Sequence, residues 1–261
     1  AERVEVLESD GKEAHGRAGW YGSSPSWNNG FSSFAGGGID ESGFAPRTGM
    51  AQTSASMESE PSSPRLASPT GGLPSSVRWA QLMLADRLRP GDVVVDATMG
   101  NGHDTLFLSE CVSPGGHVHA FDVQPAALEE TRKRVPAEVS TLHLAGHETL
   151  RETLPLEIHG RIAAIMFNLG YLPGSDKSCI TRTETTLVAL AQAIDLLKPG
   201  GILTLAVYPG HEGGAEESRE IAKWAAELDS RRFEVQHLRP VNRSAAPPEL
   251  WTIWKTAPMK K

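Results

Sequence analysis

The residues that could do chemistry fall in a few short stretches. The first is Asp96-Ala-Thr-Met-Gly-Asn-Gly-His-Asp-Thr105. Gly100 and Gly102 allow a tight turn and a close approach of backbone to a ligand. A helix beginning near Asp104 would aim its first N–H groups at a carboxylate. Asp96, Thr98, Asn101, Asp104 and Thr105 add side-chain donors and acceptors around that turn. The second stretch is Phe121-Asp-Val-Gln124, with Asp122 26 residues after Asp96. A carboxylate there can accept hydrogen bonds from both hydroxyls of a ribose. It could instead cap a helix starting at Pro125. Gln124 and His147 are further candidates for the same ligand site.

The remaining stretches suit a nucleophile. Phe167-Asn-Leu-Gly-Tyr171 offers a side-chain oxygen on Asn168 and a ring on Tyr171, with Leu169 and Gly170 between them. An amine held by Asn168 could have its lone pair aimed, which is catalysis by orientation. The alternative is a turn asparagine beside a packed tyrosine. Asp176 and Lys177 follow as candidate substrate contacts, or as an ordinary polar loop. Tyr208-Pro-Gly-His211 brings a phenol and an imidazole. A neutral His211 can accept a proton from an alkylammonium, or it can only fix its loop. Asn242, ahead of Pro247-Pro248, either closes over a substrate or makes a hairpin turn.

These stretches need a frame, and the apolar pattern provides one. Val77, Ala80, Leu82 to Leu84 and Leu88 recur at helical spacing and stop at Pro90-Gly91. Strands are expected at 93–96, 117–122, 139–144, 162–167 and 202–208. Helices are expected at 104–112, 125–135, 181–197 and 215–228, the third closed by Lys198-Pro-Gly-Gly201. Two last strands, 233–238 and 250–254, have no helix between them. Alternating strands and helices imply a mostly parallel sheet covered on both faces. The final pair should add an antiparallel hairpin at one edge. This is the class I methyltransferase plan, an α/β Rossmann-like sheet of seven strands.

In such sheets the ligand sits beyond the C-terminal strand ends, where strand order reverses. A dinucleotide fingerprint would need a third glycine at position 105, which is Thr105. Asp104 would repel a pyrophosphate and suits a cationic sulfonium. Both features favour S-adenosylmethionine (SAM). In this fold, amino-methylating enzymes carry an Asn/Asp-Pro-Pro-aromatic loop after the fourth strand. Asn168-Leu-Gly-Tyr171 keeps the ends of that loop and changes its middle.

Composition sets outer limits. The 261 residues carry a net charge of −7, so no global basic field attracts a polyanion. Residues 1–73 hold nine acidic and five basic side chains. They are rich in Gly, Ser and Pro and poor in Leu and Ile. We therefore expect 1–72 to be a disordered, low-complexity extension and 73–261 to be the methyltransferase domain. Two cysteines, Cys111 and Cys179, give no disulfide framework. We expect free thiols and a cytoplasmic location. No metal site and no membrane segment is expected.

The chain from about Leu73 to Lys255 resembles one family, long labelled putative rRNA methylase. Asp96–Thr105, Phe121–Gln124, Phe167–Lys177, Tyr208–His211 and Asn242 with Pro247-Pro248 carry the likeness, in family order. The family is similar to the tRNA 5-(aminomethyl)-2-thiouridine methyltransferases. The resemblance implies transfer of a methyl group from SAM to the aminomethyl nitrogen of a wobble uridine. Two departures fall on the substrate side. Ser175 stands where the family usually has Gly, and Arg243-Ser-Ala-Ala-Pro-Pro248 replaces an Asn-rich run. The expected partners are a tRNA anticodon loop and a second copy of the chain in a homodimer. Ribosomal RNA, a small-molecule amine, or SAM binding without catalysis are the alternatives. A basic patch from Lys177, Arg182, Arg239 and Arg243 would favour RNA.

Overall fold

The computed structural model describes residues 72–170, 182–210, 213–243 and 245–257. The extension expected at 1–72, apart from Gly72, lies outside them, as do Tyr171, Asp176, Lys177, Cys179 and His211.

Helix α1 spans Ser76–Arg87, and the Ser75 side chain caps it by accepting the Arg78 N–H at 3.2 Å. There follow β1 Val93–Asp96, α2 His103–Val112, β2 His117–Asp122, α3 Pro125–Arg134 and β3 Ser140–Leu144. A short α4, Leu150–Thr153, lies between two single 3-10 turns. Then come β4 Ile162–Asn168, α5 Thr183–Leu196, β5 Leu197–Val207, α6 Gly214–Ala226, β6 Phe233–Leu238 and β7 Glu249–Lys255. The sheet order is β3-β2-β1-β4-β5-β7-β6. The first five strands in that order run parallel, and β7 pairs antiparallel with both β5 and β6. This is the expected class I methyltransferase architecture.

The central strands alternate between two cores because side chains alternate across a strand. In β4, Ile165 and Phe167 enter one core with Leu190, Leu203, Leu205 and Ile253. Ala164 and Met166 enter the other with Leu84, Val94, Leu108 and Leu250. With both faces covered, the strands read as continuous apolar runs.

Two elements differ from the sequence reading. β5 begins at Leu197, five residues early, and its pairing with β4 shifts register between Ile162↔Leu197 and Ala164↔Ile202. Pro199 biases Lys198 to extended backbone, and Gly200 takes φ +78°. The helix therefore ends at Leu196, and Lys198-Pro-Gly-Gly201 becomes a bulged strand start. The segment His147–Ile158, which showed no readable period, forms single turns. Gln192 on α5 holds them, accepting from Arg151 N at 2.8 Å and donating to Glu148 O at 2.7 Å.

Candidate active site

Strand order reverses between β1 and β4, so the loops leaving these two strands lie side by side. The Ala97 N–H donates to Met166 O at 2.9 Å. The Asn168 N–H donates to Thr98 Oγ1 at 2.8 Å. The topology thus joins the glycine turn to the nucleophile loop.

Within the turn, Asp96 is buried and accepts the Thr98 N–H at 3.1 Å and the Thr105 hydroxyl at 2.7 Å. Burial, reinforced by the charge of Asp104, pushes its carboxyl up to about 7. Thr105 is fully buried, so it supports the turn through Asp96. Gly102 precedes α2 at φ +77°, and a Cβ there would meet Thr131 Cα at 2.9 Å. From α3, Thr131 donates to Gly100 O at 3.2 Å and Arg134 donates to Asn101 O at 2.9 Å. These contacts shape the turn above the first N–H groups of α2, which no side chain among the described residues caps. His103, the first residue of that helix, is exposed.

Asp122 ends β2 and faces the same turn. It accepts the Gly100 N–H at 3.1 Å and the Gln124 N–H at 2.9 Å. The carboxylate thus tethers the loop and does not cap α3, whose N-cap is Gln124 and which takes no side-chain capping bond. A further backbone hydrogen bond comes from Val123, and a carboxylate with about four lone-pair sites keeps acceptor capacity for a ribose hydroxyl. Burial raises its pKa, while its backbone hydrogen bonds act in the opposite direction. Gln124 is half-buried beside it. Val123 and Leu144, both more than half exposed, give an apolar surface suited to a purine face. His147 is buried against Phe167, and its Nε2 has no hydrogen-bond partner among the described residues. Burial lowers its pKa and favours the neutral ring. The free carboxylate acceptors, apolar wall and orphaned imidazole nitrogen fit SAM.

On the substrate side, Leu169 is buried and its N–H donates to Ala206 O at 2.9 Å, tying the loop to β5. Gly170 has φ +135°, and a Cβ there would come to 3.9 Å from the Tyr208 ring. Tyr208 is half-buried and hydrogen-bonded to Ser76; burial and then the charge of Asp104 raise its pKa. Asn168 donates from Nδ2 to Asp104 Oδ2 over a long 3.4 Å. Asn242 is exposed in the β6–β7 connection.

Helix α1 contributes more than its apolar face suggested. Gln81 Nε2 donates to Asp104 Oδ1 at 2.9 Å, and Arg78 Nη1 donates to Gln81 Oε1 at 3.2 Å. Ser76, Arg78 and Gln81 were missed because α1 was read only for core residues. The available signal was a glutamine between buried Ala80 and Leu82, three residues after an arginine.

Fold, glycine turn and carboxylate together define the class I SAM-dependent methyltransferases. Within that class the chain belongs to the family described as putative rRNA methylase, whose profile matches residues 118–254. The chain is 37% identical over 183 residues to the chloroplastic tRNA (mnm(5)s(2)U34)-methyltransferase of Arabidopsis thaliana. That alignment covers 66% of this chain and 64% of the relative, so the chain spans less than two thirds of its length. A putative rRNA-methylase from Clostridium thermocellum is 36% identical with TM-score 0.67, covering 70% of this chain and 99% of that one. A putative methyltransferase from Streptococcus mutans in complex with SAH is 35% identical with TM-score 0.63, covering 70% and 99%. Among the described residues, no helix is long and apolar enough to cross a membrane.

Proposed function

We propose that this chain is a SAM-dependent N-methyltransferase that converts the 5-aminomethyl group of a wobble (2-thio)uridine in tRNA to 5-methylaminomethyl. The observation that carries the reading is Asn168, fastened through Thr98 to the glycine turn at the point of strand reversal. A nucleophile held by Asn168 is a neighbour of whatever the glycine turn binds. The name of the Arabidopsis relative supports the uridine substrate.

Bound SAM would supply an electrophilic methyl group on a sulfonium. The chain's own residues hold and aim both reactants. Asp122 would bind the ribose hydroxyls, and the first N–H groups of α2 would hold the methionine carboxylate. Asn168 Oδ1 accepts an amine N–H and points the nitrogen lone pair along the line of transfer. Tyr171 stacks on the uracil. The amine must be neutral to react, and the proton it sheds on methylation would pass to His211 as the proposed acceptor. Leu169, Gly170 and Tyr208 line the substrate side, and Asp176, Lys177 and Asn242 are proposed to contact the RNA.

Arg239 and Arg243 favour RNA over a small amine. Both are exposed, neither makes an ion pair among the described residues, and both line a groove with Pro209, Val241 and Pro247. An unpaired anticodon base can enter the site at little cost. Ribosomal RNA is the second reading, favoured by the family description. The proposed compartment is the cytoplasm, although the Arabidopsis relative is chloroplastic. Nucleoside mass spectrometry of total tRNA from cells with and without this protein tests the reading. Loss of methylaminomethyl-uridine with gain of aminomethyl-uridine is expected. Unchanged tRNA nucleosides would refute it.

A further inference from the structure

The amide of Asn168 has an accepting end and a donating end, and only the accepting end can help an amine attack. We propose that Gln81 is the positioning residue that keeps the accepting end toward the substrate, acting through Asp104. This inference rests on the reaction proposed above.

An ionised carboxylate only accepts hydrogen bonds. Asp104 Oδ2 lies 3.4 Å from the Asn168 amide, so the end facing it is Nδ2. The Oδ1 end is then turned away from Asp104 and takes no hydrogen bond from the described residues, which leaves it for an amine N–H. The same reasoning fixes Gln81. A guanidinium only donates, so Arg78 Nη1, 3.2 Å away, takes Oε1. That leaves Nε2 to donate to Asp104 Oδ1 at 2.9 Å. Arg78, Gln81, Asp104 and Asn168 thus form one row of hydrogen bonds with a single allowed polarity.

The row fails if Asp104 takes up a proton. Its O–H can then donate to Asn168, which can turn its oxygen inward and present N–H groups to the amine. Burial pushes Asp104 in that direction, while Gln81, Asn168 and the charge of His103 oppose it. The groups that face Asp104 are Gln81 from α1, with Arg78 behind it, Asp96 from β1, His103 from α2, Asn168 from β4 and Tyr208 from the end of β5. Gln81 gives the carboxylate an uncharged N–H donor and therefore favours the ionised form.

The test uses the full chain and two variants. Gln81→Met keeps the length and removes the N–H donor; Gln81→Lys restores a donor. Methyl transfer to tRNA bearing 5-aminomethyluridine is measured against pH. The side-chain NH₂ resonance of Asn168, assigned by its loss in Asn168→Asp, is titrated by NMR. Gln81→Met is expected to lower kcat about tenfold, the scale of one hydrogen bond to a charged group. SAM affinity and the KM for tRNA should stay within about twofold, because the lost contact acts in the transition state. The acid limb of the rate profile and the amide titration should both move to higher pH, and Gln81→Lys should reverse both. The amine's own titration is common to all three proteins and cannot produce the difference. Wild-type kcat and an unshifted amide titration in Gln81→Met would overturn the inference. So would a parallel loss of SAM affinity and melting temperature without a pH shift, which would mark Gln81 as merely structural. No transfer by the wild type, with the amide titration still shifted in Gln81→Met, would overturn the reaction and support the positioning role.

Discussion

Asp122 and Asn168 show how much a single side chain reveals from type and spacing alone. Each ends a strand beside the point of strand reversal, and a polar residue at such an end is a ligand candidate before any contact is known. What spacing could not show is the second task of each. Asp122 also tethers Gly100, and Asn168 also leans on Asp104. The partner of Gln81 was illegible for the opposite reason: it lies 23 positions away, and only packing brings the two together. Asp122→Ala should weaken SAM binding by about 1–3 kcal/mol, the range for a hydrogen bond to a charged group. Calorimetry returning an unchanged affinity would remove Asp122 from the site. Asn168→Ala should keep SAM affinity within about twofold and cut kcat far more than it raises KM. Full turnover in that variant would reduce the loop to a structural role. Asp96 gives a pH signature. Its folded pKa is raised to about 7, so the unfolded chain loses this proton first. Its contribution to stability is present below the ordinary carboxylate range and falls as pH rises toward 7. In Asp96→Asn, the melting temperature should lose that part of its pH dependence; an unchanged profile would contradict the burial argument.

Elements were legible where period and punctuation agreed. All seven strands and the five longer helices lie where apolar spacing and Gly or Pro breaks put them, within a few residues. The bulged start of β5 was not, because Lys198-Pro-Gly-Gly201 reads as a loop unless its pairing with β4 is known. Nor were the single turns around α4, which are too short to show a period and depend on Gln192. The turn from β1 to α2 is the element most exposed to one change. Gly102 has φ +77°, and α3 approaches it through Thr131 backbone. Gly102→Ala should therefore cost about 1–3 kcal/mol, combining left-handed strain with a contact that cannot relax through a side chain. Thermal melts equal to wild type would show that α3 moves aside freely. Cys111, on α2 and free, has its thiol pushed up to about 11 by burial, which fits a packing role for that helix face.

At the scale of the whole molecule, charge balance gave little guidance. A net −7 says nothing of a groove lined by Arg239, Arg243 and Glu249, in which neither arginine makes an ion pair among the described residues. The fold class was readable from strand order and the last hairpin. The substrate was not readable from composition, because a tRNA loop is recognised by a few local contacts. The central claim is that the amine, and not the uracil or ribose, receives the methyl group. The most direct measurement is transfer of labelled methyl from SAM to two tRNAs that differ only in the 5-aminomethyl group of the wobble uridine. The account predicts label in the aminomethyl-bearing tRNA, recovered as methylaminomethyl-uridine, and none in the other. Equal labelling of both, or labelling of ribosomal RNA alone, would contradict it.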